Sequence, residues 1–172
     1  VLYSVTHPIA TTECNVMSTL QLLEACRGNV GRFIFSSSSA VVGDLTPEQL
    51  PSDEFVIRRP KSPYAVQKST IEDYCRVYSE LYGLDTISLR YFNVFGPRQY
   101  GDSPYSTVIS AWCNSLVSTG TLRIDGDGTQ SRDFCYVDNA VSANILAAES
   151  DRCFKGDVIN IAHGETRSIN EI

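Results

Sequence analysis

The spacing of apolar residues predicts helices along most of the chain. In four segments apolar side chains recur every three or four residues, which is the period of a helix that buries one face. Gly28 and Gly83 follow the first two segments and are typical of helix ends. A shorter helical turn is predicted at residues 47–50. The four helices predicted in this way are residues 15–26, 64–82, 107–118 and 138–149.

Between these helices lie short apolar runs that predict strands. The runs are residues 32–36, 85–92, 121–125 and 157–162, and turn-rich loops are predicted at 37–63 and 96–104. Helices that alternate with short apolar strands predict an α/β fold with a partial, doubly wound, parallel (Rossmann-like) sheet. Such folds bind ligands at the carboxyl ends of their strands, which here are the loops after Phe35 and Phe92. Near the end of the chain, Ser168-Ile-Asn-Glu171 has the capping-box pattern of a helix start.

Length and charge narrow the class of protein. The 172 residues are enough for one domain with a substantial core. No apolar stretch approaches the roughly 18 residues that a membrane span needs, so we expect a soluble protein with no membrane association. The formal net charge of −6 argues against a dedicated nucleic-acid binder, because such proteins carry a basic patch. A few clustered arginines could still hold the phosphates of a small ligand.

The cysteines indicate the redox compartment of the protein, and the position of the methionine bears on whether the chain is complete. Its six cysteines are scattered evenly and form no Cys-x-x-Cys pair, and His7 and His163 are far apart in sequence. We therefore expect no metal site, and reduced, mostly buried thiols in a cytoplasmic protein. The first residue is Val1 and the only methionine is Met17, which predicts that the chain is a fragment of a longer protein.

The segment Ser62-Pro-Tyr64-Ala-Val-Gln-Lys68 carries the first candidate chemistry. Tyr64 and Lys68 are four residues apart just inside a predicted helix, so both side chains project from one face. A tyrosine hydroxyl titrates near ~10 and is a poor base at neutral pH. A nearby ammonium favours the phenolate and lowers that pKa, which makes the pair a proton acceptor for an alcohol or sugar hydroxyl.

A strand that runs into a serine-rich loop, Phe33-Ile-Phe-Ser-Ser-Ser-Ser-Ala-Val-Val-Gly43, precedes this segment. The combination resembles the extended short-chain dehydrogenase/reductases, and within them the UDP-N-acetylglucosamine and UDP-glucose 4-epimerases. In that family a strand ends in Ser-Ser-Ser-x-x-Val-Tyr-Gly, and a later Tyr-x-x-x-Lys completes the site. The resemblance implies that Ser38, Tyr64 and Lys68 are catalytic, that Ser38 also binds substrate, and that Tyr64 and Lys68 also bind cofactor.

The resemblance extends through almost the whole chain. Asn15 matches a cofactor-binding asparagine, and Arg90-Tyr-Phe-Asn-Val-Phe-Gly-Pro-Arg98 resembles a family segment that sets Phe92 near the nicotinamide. The same segment implies substrate binding by Asn93 and Arg98. The later Gly-Asp-Gly-Thr-Gln-Ser-Arg-Asp-Phe loop implies that Arg132 grips the nucleotide diphosphate.

Several of these residues also have a purely structural interpretation. The serines at 36–39 could simply end a strand, and Asn15 could cap a helix, a role that asparagine favours. Arg98 could lie on the surface or at a domain contact. Arg132 could form only a local ion pair with the adjacent Asp133.

The resemblance implies NAD as cofactor, a UDP-sugar as substrate, and a homodimer packed through the helices that carry Asn15 and Tyr64. Tyr64, as phenolate, would take the proton of the hydroxyl at carbon 4 while NAD accepts the hydride. A transient 4-keto sugar would turn over before the hydride returns to its other face. The family pattern divides the chain into residues 1–97, the C-terminal part of the NAD-binding domain, and residues 98–172, part of the nucleotide-sugar-binding region.

Other activities of similar proteins stay open. Sugar 4,6-dehydratases carry an Asp-Glu pair after the catalytic threonine and UDP-glucuronate decarboxylases a glutamate, whereas Ser39 and Ala40 stand here and favour epimerisation. A UDP-glucuronate epimerase, a 4-keto reductase, a binding module and an inactive fragment are further alternatives. Val42 replaces a family tyrosine and Ser18 a glycine. The Gly-rich loop that binds pyrophosphate is absent from these residues, so the isolated chain is expected to be inactive.

Overall fold

The computed structural model describes residues 1–102 and 106–172. A π-helical turn, Glu13–Met17, joins the second helix to the third, and 3₁₀ turns lie at Ser39–Val42, Pro47–Gln49 and Ile169–Glu171. The helices are α1 (Leu2–Thr6), α2 (Pro8–Thr12), α3 (Ser18–Cys26), α4 (Pro63–Tyr82), α5 (Val108–Ser118) and α6 (Val137–Glu149). The strands are β1 (Arg32–Ser38), β2 (Asp85–Tyr91), β3 (Asn93–Phe95), β4 (Ser131–Tyr136), β5 (Asp157–Ile161) and β6 (Thr166–Ser168).

The larger sheet is parallel and has the strand order β1-β2-β5. Its central strand, β2, alternates between two covered faces, as the pleat of a strand requires. Ile87 and Leu89 point toward α6 and pack with Ala147 and Phe154. On the other face, α3 and α4 bury a second core with β1. Helices on both faces of a parallel sheet confirm the predicted doubly wound, Rossmann-like fold, here in partial form.

A second, smaller sheet begins where the chain leaves the first. β2 ends at Tyr91, and β3 starts two residues later in a sheet of order β3-β4-β6. β3 and β4 are parallel, whereas β6 returns antiparallel to β4. The chain crosses back between the sheets, since β5 lies beyond residue 97 and pairs with β2. The division of the chain at residue 97 stays a prediction.

A buried ion pair ties α4 to the larger sheet. Arg90 on β2 donates from Nε and Nη2 to the two carboxylate oxygens of Glu72 on α4, both at 2.8 Å. The two side chains are only 3% and 2% exposed. Ser37 on β1 donates to Glu72 Oε1 at 2.6 Å, and Arg58 approaches Oε2 at 3.4 Å. One carboxylate thereby links two strands, a loop and a helix.

Most predicted elements are confirmed within a few residues, but the strand predicted at 121–125 is wrong. These residues are irregular, bracketed by Gly120 and Gly126 at φ 70° and 81°. The Arg123 carbonyl accepts the indole N–H of Trp112 at 2.8 Å instead of a partner strand. Alternating Leu122 and Ile124 imitate a strand pattern, yet both are 45% exposed. The strand in this part of the chain is β4.

Other boundaries move for identifiable reasons. The helix predicted at 15–26 begins at Pro8, because the π-helical turn continues α2 into α3 without a break. Serines 37 and 38 extend β1 instead of opening the loop. The helix start predicted at Ser168 is confirmed as a single 3₁₀ turn with a complete capping box. The last residues of the loop predicted at 96–104 lie outside the described ranges.

All six cysteines are free thiols, but the prediction that most are buried is wrong. Only Cys75 and Cys135 are buried, whereas Cys14, Cys113 and Cys153 are exposed. Burial raises the pKa of the Cys75 thiol to about 12, which keeps that group protonated. Within residues 1–102 and 106–172, no helix is both long and apolar enough to cross a membrane.

Replacing Glu72 tests the importance of the buried ion pair. Glu72→Gln keeps the side-chain shape but leaves the Arg90 guanidinium buried without a counter-charge, so we expect a loss of roughly 3–5 kcal/mol in the free energy of unfolding. Urea unfolding followed by circular dichroism measures that loss.

Glu80→Gln is the matched control on the same helix. Glu80 pairs with Arg76 at 2.9 Å, but both side chains are about half exposed, so this change should barely move the urea midpoint. Equal losses in the two variants would contradict a special role for the buried pair.

Candidate active site

The start of α4 is held firmly where Tyr64 lies. Ser62 caps the helix by accepting the N–H of Ala65 at 3.2 Å, and Pro63 occupies the first helical position. The backbone N–H of Tyr64 donates to the buried hydroxyl of Ser4 in α1 at 3.0 Å. The backbone that carries Tyr64 is therefore fixed from two directions.

Lys68 lies one turn further along α4, on the side of Tyr64. Its Nζ donates to the Ser36 carbonyl at 2.7 Å, 5.7 Å from the centroid of the Tyr64 ring and 4.8 Å from that of Phe35. Burial lowers the pKa of the Lys68 ammonium, because a partly desolvated charge is disfavoured. The two residues thus have the proximity that their spacing predicts.

Ser38 ends β1 at the carboxyl edge of the larger sheet, paired in register with Tyr91. Its Oγ accepts the N–H of Ala40 at 3.2 Å and opens the turn Ser39–Val42. Gly43 ends that turn at φ 72°, where a β-carbon would collide with the Arg59 carbonyl. The sequence Ser-Ser-Ser thus alternates: Ser37 faces the buried ion pair, while Ser36 and Ser38 lie on the other face of the strand.

Asn15 lies in the middle of a continuous helical segment, in the π-helical turn Glu13–Met17. It therefore does not cap a helix, which removes the structural interpretation considered for it. Its Nδ2 donates to Oε1 of Gln67 at 2.8 Å. Because Gln67 precedes Lys68 on α4, this bond ties Asn15 to the helix that carries Tyr64. π-helical turns are frequent at functional sites.

Phe92 and Asn93 connect the two sheets. The Phe92 N–H donates to the Ile161 carbonyl at 3.0 Å, which keeps it at the carboxyl edge of β2 and β5. Asn93 opens β3, and its Nδ2 donates to the Asp133 carbonyl at 3.0 Å. Phe92, predicted to contact the cofactor, and Asn93, predicted to contact the substrate, are thus neighbours where the chain passes from β2 to β3.

Asn93 and Arg132 line one cavity of about 540 Å³. Its walls come from β3, β4, α5 and the 123–130 loop, and include Trp112, Gln130 and Phe134. Arg132 is exposed, and its Nη1 donates to the Ser131 carbonyl at 2.7 Å. The cavity thus joins aromatic surface, an amide and a guanidinium, which suits a base joined to phosphates.

Asp133 does not pair with Arg132. Its carboxylate accepts the N–H groups of His163 and Gly164, each at 2.7 Å. No ion pair involving Arg132 occurs among the residues with described positions. The structure therefore contradicts the alternative in which Arg132 forms only a local ion pair with Asp133.

The structure does not bring Arg98 to the cavity that holds Arg132. Arg98 has a left-handed backbone, φ 69°, and lines a separate cavity of about 650 Å³ with Phe95, Cys113 and Tyr136. The two cavities use different faces of α5, since Trp112 lines the first and Cys113 the second. Substrate binding by Arg98 stays a prediction.

Some residues at the site were not singled out from the sequence. Gln67, Glu72 and Trp112 are the main ones, and Glu72 and Trp112 each have a partial signal. Glu72 follows Lys68 by four residues on the same helix face, and a charge at that position on an inward face signals a buried partner. Trp112 is the only tryptophan of the chain. Gln67 has no such signal, because its partners lie 52–56 positions away.

Comparison with known proteins agrees with this geometry. Residues 1–162 match the model of the NAD dependent epimerase/dehydratase family. The UDP-N-acetylglucosamine 4-epimerase of Methanobrevibacter ruminantium, solved with UDP-N-acetylmuramic acid, is 46% identical with a TM-score of 0.93; the match covers 99% of this chain and 54% of that one. The UDP-glucuronic acid 4-epimerase of Bacillus cereus, solved with UDP-glucuronic acid and NAD, is 37% identical with a TM-score of 0.81, over 91% and 48% of the two chains.

Another relative is named for a different reaction. The UDP-N-acetyl-alpha-D-glucosaminuronate decarboxylase of Bacillus cytotoxicus is 35% identical over 167 residues, 95% of this chain and 51% of that protein. The chain thus spans about half the length of these relatives. Since the family match covers most of the chain and the fold agrees with the solved epimerases, the chain belongs to the NAD dependent epimerase/dehydratase family.

Proposed function

We propose that the protein containing this chain catalyses the NAD-dependent 4-epimerisation of a UDP-sugar. The observation that carries the proposal is the Lys68 ammonium, which is partly buried, anchored to the Ser36 carbonyl and 5.7 Å from the Tyr64 ring. An ammonium held in that position lies beside the tyrosine and has N–H groups left for a ligand.

The described residues fit the nicotinamide half of NAD. The Lys68 ammonium keeps two of its three donors after bonding Ser36, and Asn15 keeps its Oδ1 as an acceptor. Lys68 lies at the carboxyl edge of the parallel sheet, where this fold binds dinucleotides, and Asn15 is tied to the same helix through Gln67. Bound NAD supplies a hydride acceptor for the carbon that bears the reacting hydroxyl.

The residues of the chain then handle the proton and the substrate. Tyr64, as phenolate, takes the proton from the sugar hydroxyl at carbon 4 and later returns it. Lys68 holds the cofactor ribose. Ser38 hydrogen-bonds the same sugar oxygen and shares its proton.

The UDP part of the substrate is assigned to the cavity that Asn93 and Arg132 line. Its volume of about 540 Å³ suits a nucleotide. Arg132 would pair with the diphosphate, because a guanidinium matches phosphate oxygens in a bidentate manner. Phe92, between this cavity and the sheet edge, is assigned to the nicotinamide side.

Epimerisation is favoured over the reactions of other relatives. Dehydration and decarboxylation use carboxylate groups after the catalytic serine or threonine in similar enzymes, whereas the turn after Ser38 is Ser39-Ala-Val-Val42. A substrate that carries a carboxylate, such as UDP-glucuronate, is the second candidate, since relatives of the chain include enzymes named for it.

A homodimer through the helices of Asn15 and Tyr64 is part of the proposal, and exposed Leu22 and Val66 on those helices support it.

Replacing Tyr64 tests the proposal. In the complete gene product that contains residues 1–172, Tyr64→Phe should lower epimerisation of UDP-N-acetylglucosamine or UDP-glucose by ~10²–10⁴-fold, because it removes the proton acceptor. Chromatographic separation of the 4-epimers measures the rate.

Tyr74→Phe is the matched control, since Tyr74 lies on the same helix and packs against the core. Its hydroxyl makes no hydrogen bond with any described residue, so activity should be unchanged. A Tyr64→Phe variant with full activity would contradict the assignment. Retained NAD binding without epimerisation in the wild type would favour decarboxylase or reductase chemistry.

The lowered pKa of Lys68 predicts a pH-dependent effect on stability. A lysine that folds with a lowered pKa costs stability while it is charged, and that cost disappears as pH rises from the folded pKa toward the ordinary value of 10.5. The stability of Lys68→Met relative to wild type should therefore fall over this pH range. Urea unfolding of both proteins between pH 7 and 10.5 measures the difference, and a constant difference would contradict the desolvation of Lys68.

A further inference from the structure

We propose that Gln67 is a positioning residue that fixes the orientation of the Asn15 amide and thereby presents Asn15 Oδ1 to the cofactor. This inference rests on the proposed function, in which Asn15 contacts NAD. Its basis is a chain of hydrogen bonds that links Gln67 to Asn15 on one side and to Thr11 and Thr12 on the other.

Gln67 is buried although it is polar. Only 3% of the residue is exposed, and it lies on α4 between Tyr64 and Lys68 in the sequence. All the hydrogen bonds of its amide cross to the helical segment of residues 8–17. A buried amide is costly unless its groups are paired, and here the donor and the acceptor both are.

The two threonines determine which end of the Gln67 amide is the donor. Thr11 donates its hydroxyl hydrogen to the carbonyls of His7 and Pro8 at 3.0 and 3.1 Å, and Thr12 donates to Pro8 at 2.8 Å. A carbonyl can only accept, so the hydroxyl hydrogens are committed to the backbone. The threonine oxygens are left as acceptors, and they accept Gln67 Nε2 at 2.9 and 3.1 Å.

The orientation of the Gln67 amide determines that of the Asn15 amide. Since Nε2 faces the threonines, Gln67 turns Oε1 toward Asn15, where it accepts Nδ2 at 2.8 Å. A flipped Asn15 amide would set its oxygen against the oxygen of Gln67 and lose this bond. Flipping both amides would require the threonine hydrogens to leave their carbonyls. The network therefore holds Asn15 with Oδ1 outward.

An outward Oδ1 is an acceptor for a hydroxyl or amine donor. Among the described residues, no group donates to it. The ribose of a dinucleotide offers hydroxyl donors, which Asn15 Oδ1 would accept, and Lys68, the residue after Gln67 on α4, would donate to the same ribose. In this scheme Gln67 does not contact the cofactor itself and acts through Asn15.

A thermodynamic cycle tests this role through NAD affinity. The dissociation constant for NAD is measured by calorimetry on cofactor-free preparations of the complete gene product, in the wild type, Gln67→Met, Asn15→Ala and the double variant. We expect each single variant to weaken binding about 10-fold, the effect of one lost hydrogen bond. The double variant should bind NAD no more weakly than Asn15→Ala alone.

Two further variants test the polarity of the network. Gln67→Glu keeps an acceptor toward Asn15 but sets an oxygen and a buried charge against the threonine oxygens, so it should weaken NAD binding at least as much as Gln67→Met. Thr11→Val combined with Thr12→Val releases the donor end of Gln67 and should weaken binding about 3-fold even if Gln67→Met does not fold. Gln21→Met, an exposed position on α3, is the control and should bind NAD as wild type does.

The outcomes separate this inference from the proposed function. If wild type binds no NAD, the proposed function fails, and the role of Gln67 fails with it. If wild type binds NAD but Gln67→Met does not weaken it, or weakens it equally with and without Asn15, then Gln67 has no positioning role and only the inference fails.

Discussion

The bidentate ion pair between Arg90 and Glu72 is the constraint on which the site depends. It crosses from the central strand of the larger sheet to α4, two turns after Tyr64, in a region where neither charge meets water. Ser37 adds a hydrogen bond from β1 to the same carboxylate. Because a buried pair of this kind tolerates little change in geometry, α4 cannot slide or rotate against the strand that presents Ser38. The placement of Lys68 against the Ser36 carbonyl of β1 follows from it.

The two faces of β2 differ in polarity. Thr86 and Arg90 on β2 face α4 and satisfy that helix, whereas Ile87 and Leu89 on the opposite face form an apolar core with α6. The polar face continues to the carboxyl edge of the sheet, where the Ser36 carbonyl receives Lys68. Folds of this kind bind ligands at the carboxyl ends of their strands.

Much of the fold follows from local patterns, and the rest depends on contacts that are distant in sequence. The helix of Tyr64 has a proline, a serine cap and a closing glycine, so its bounds could be predicted. Residues 121–125 have the alternation of a strand but no neighbour to pair with, whereas β4, with the polar sequence Ser-Arg-Asp-Phe-Cys-Tyr, pairs on both sides. The separation of Arg98 from Arg132 depends on which face of α5 each one meets. The role proposed for Gln67 depends on hydroxyl orientations that no sequence pattern encodes.

The central claim is that one site removes a hydride from carbon 4 of a UDP-sugar and returns it to the opposite face. The most direct measurement uses UDP-N-acetylglucosamine or UDP-glucose labelled with deuterium at carbon 4, incubated with the complete gene product, and analysed by nuclear magnetic resonance and mass spectrometry. The account predicts the 4-epimer with the deuterium still on carbon 4. A product that has exchanged this position with solvent hydrogen, or one that has lost water or carbon dioxide, would contradict it.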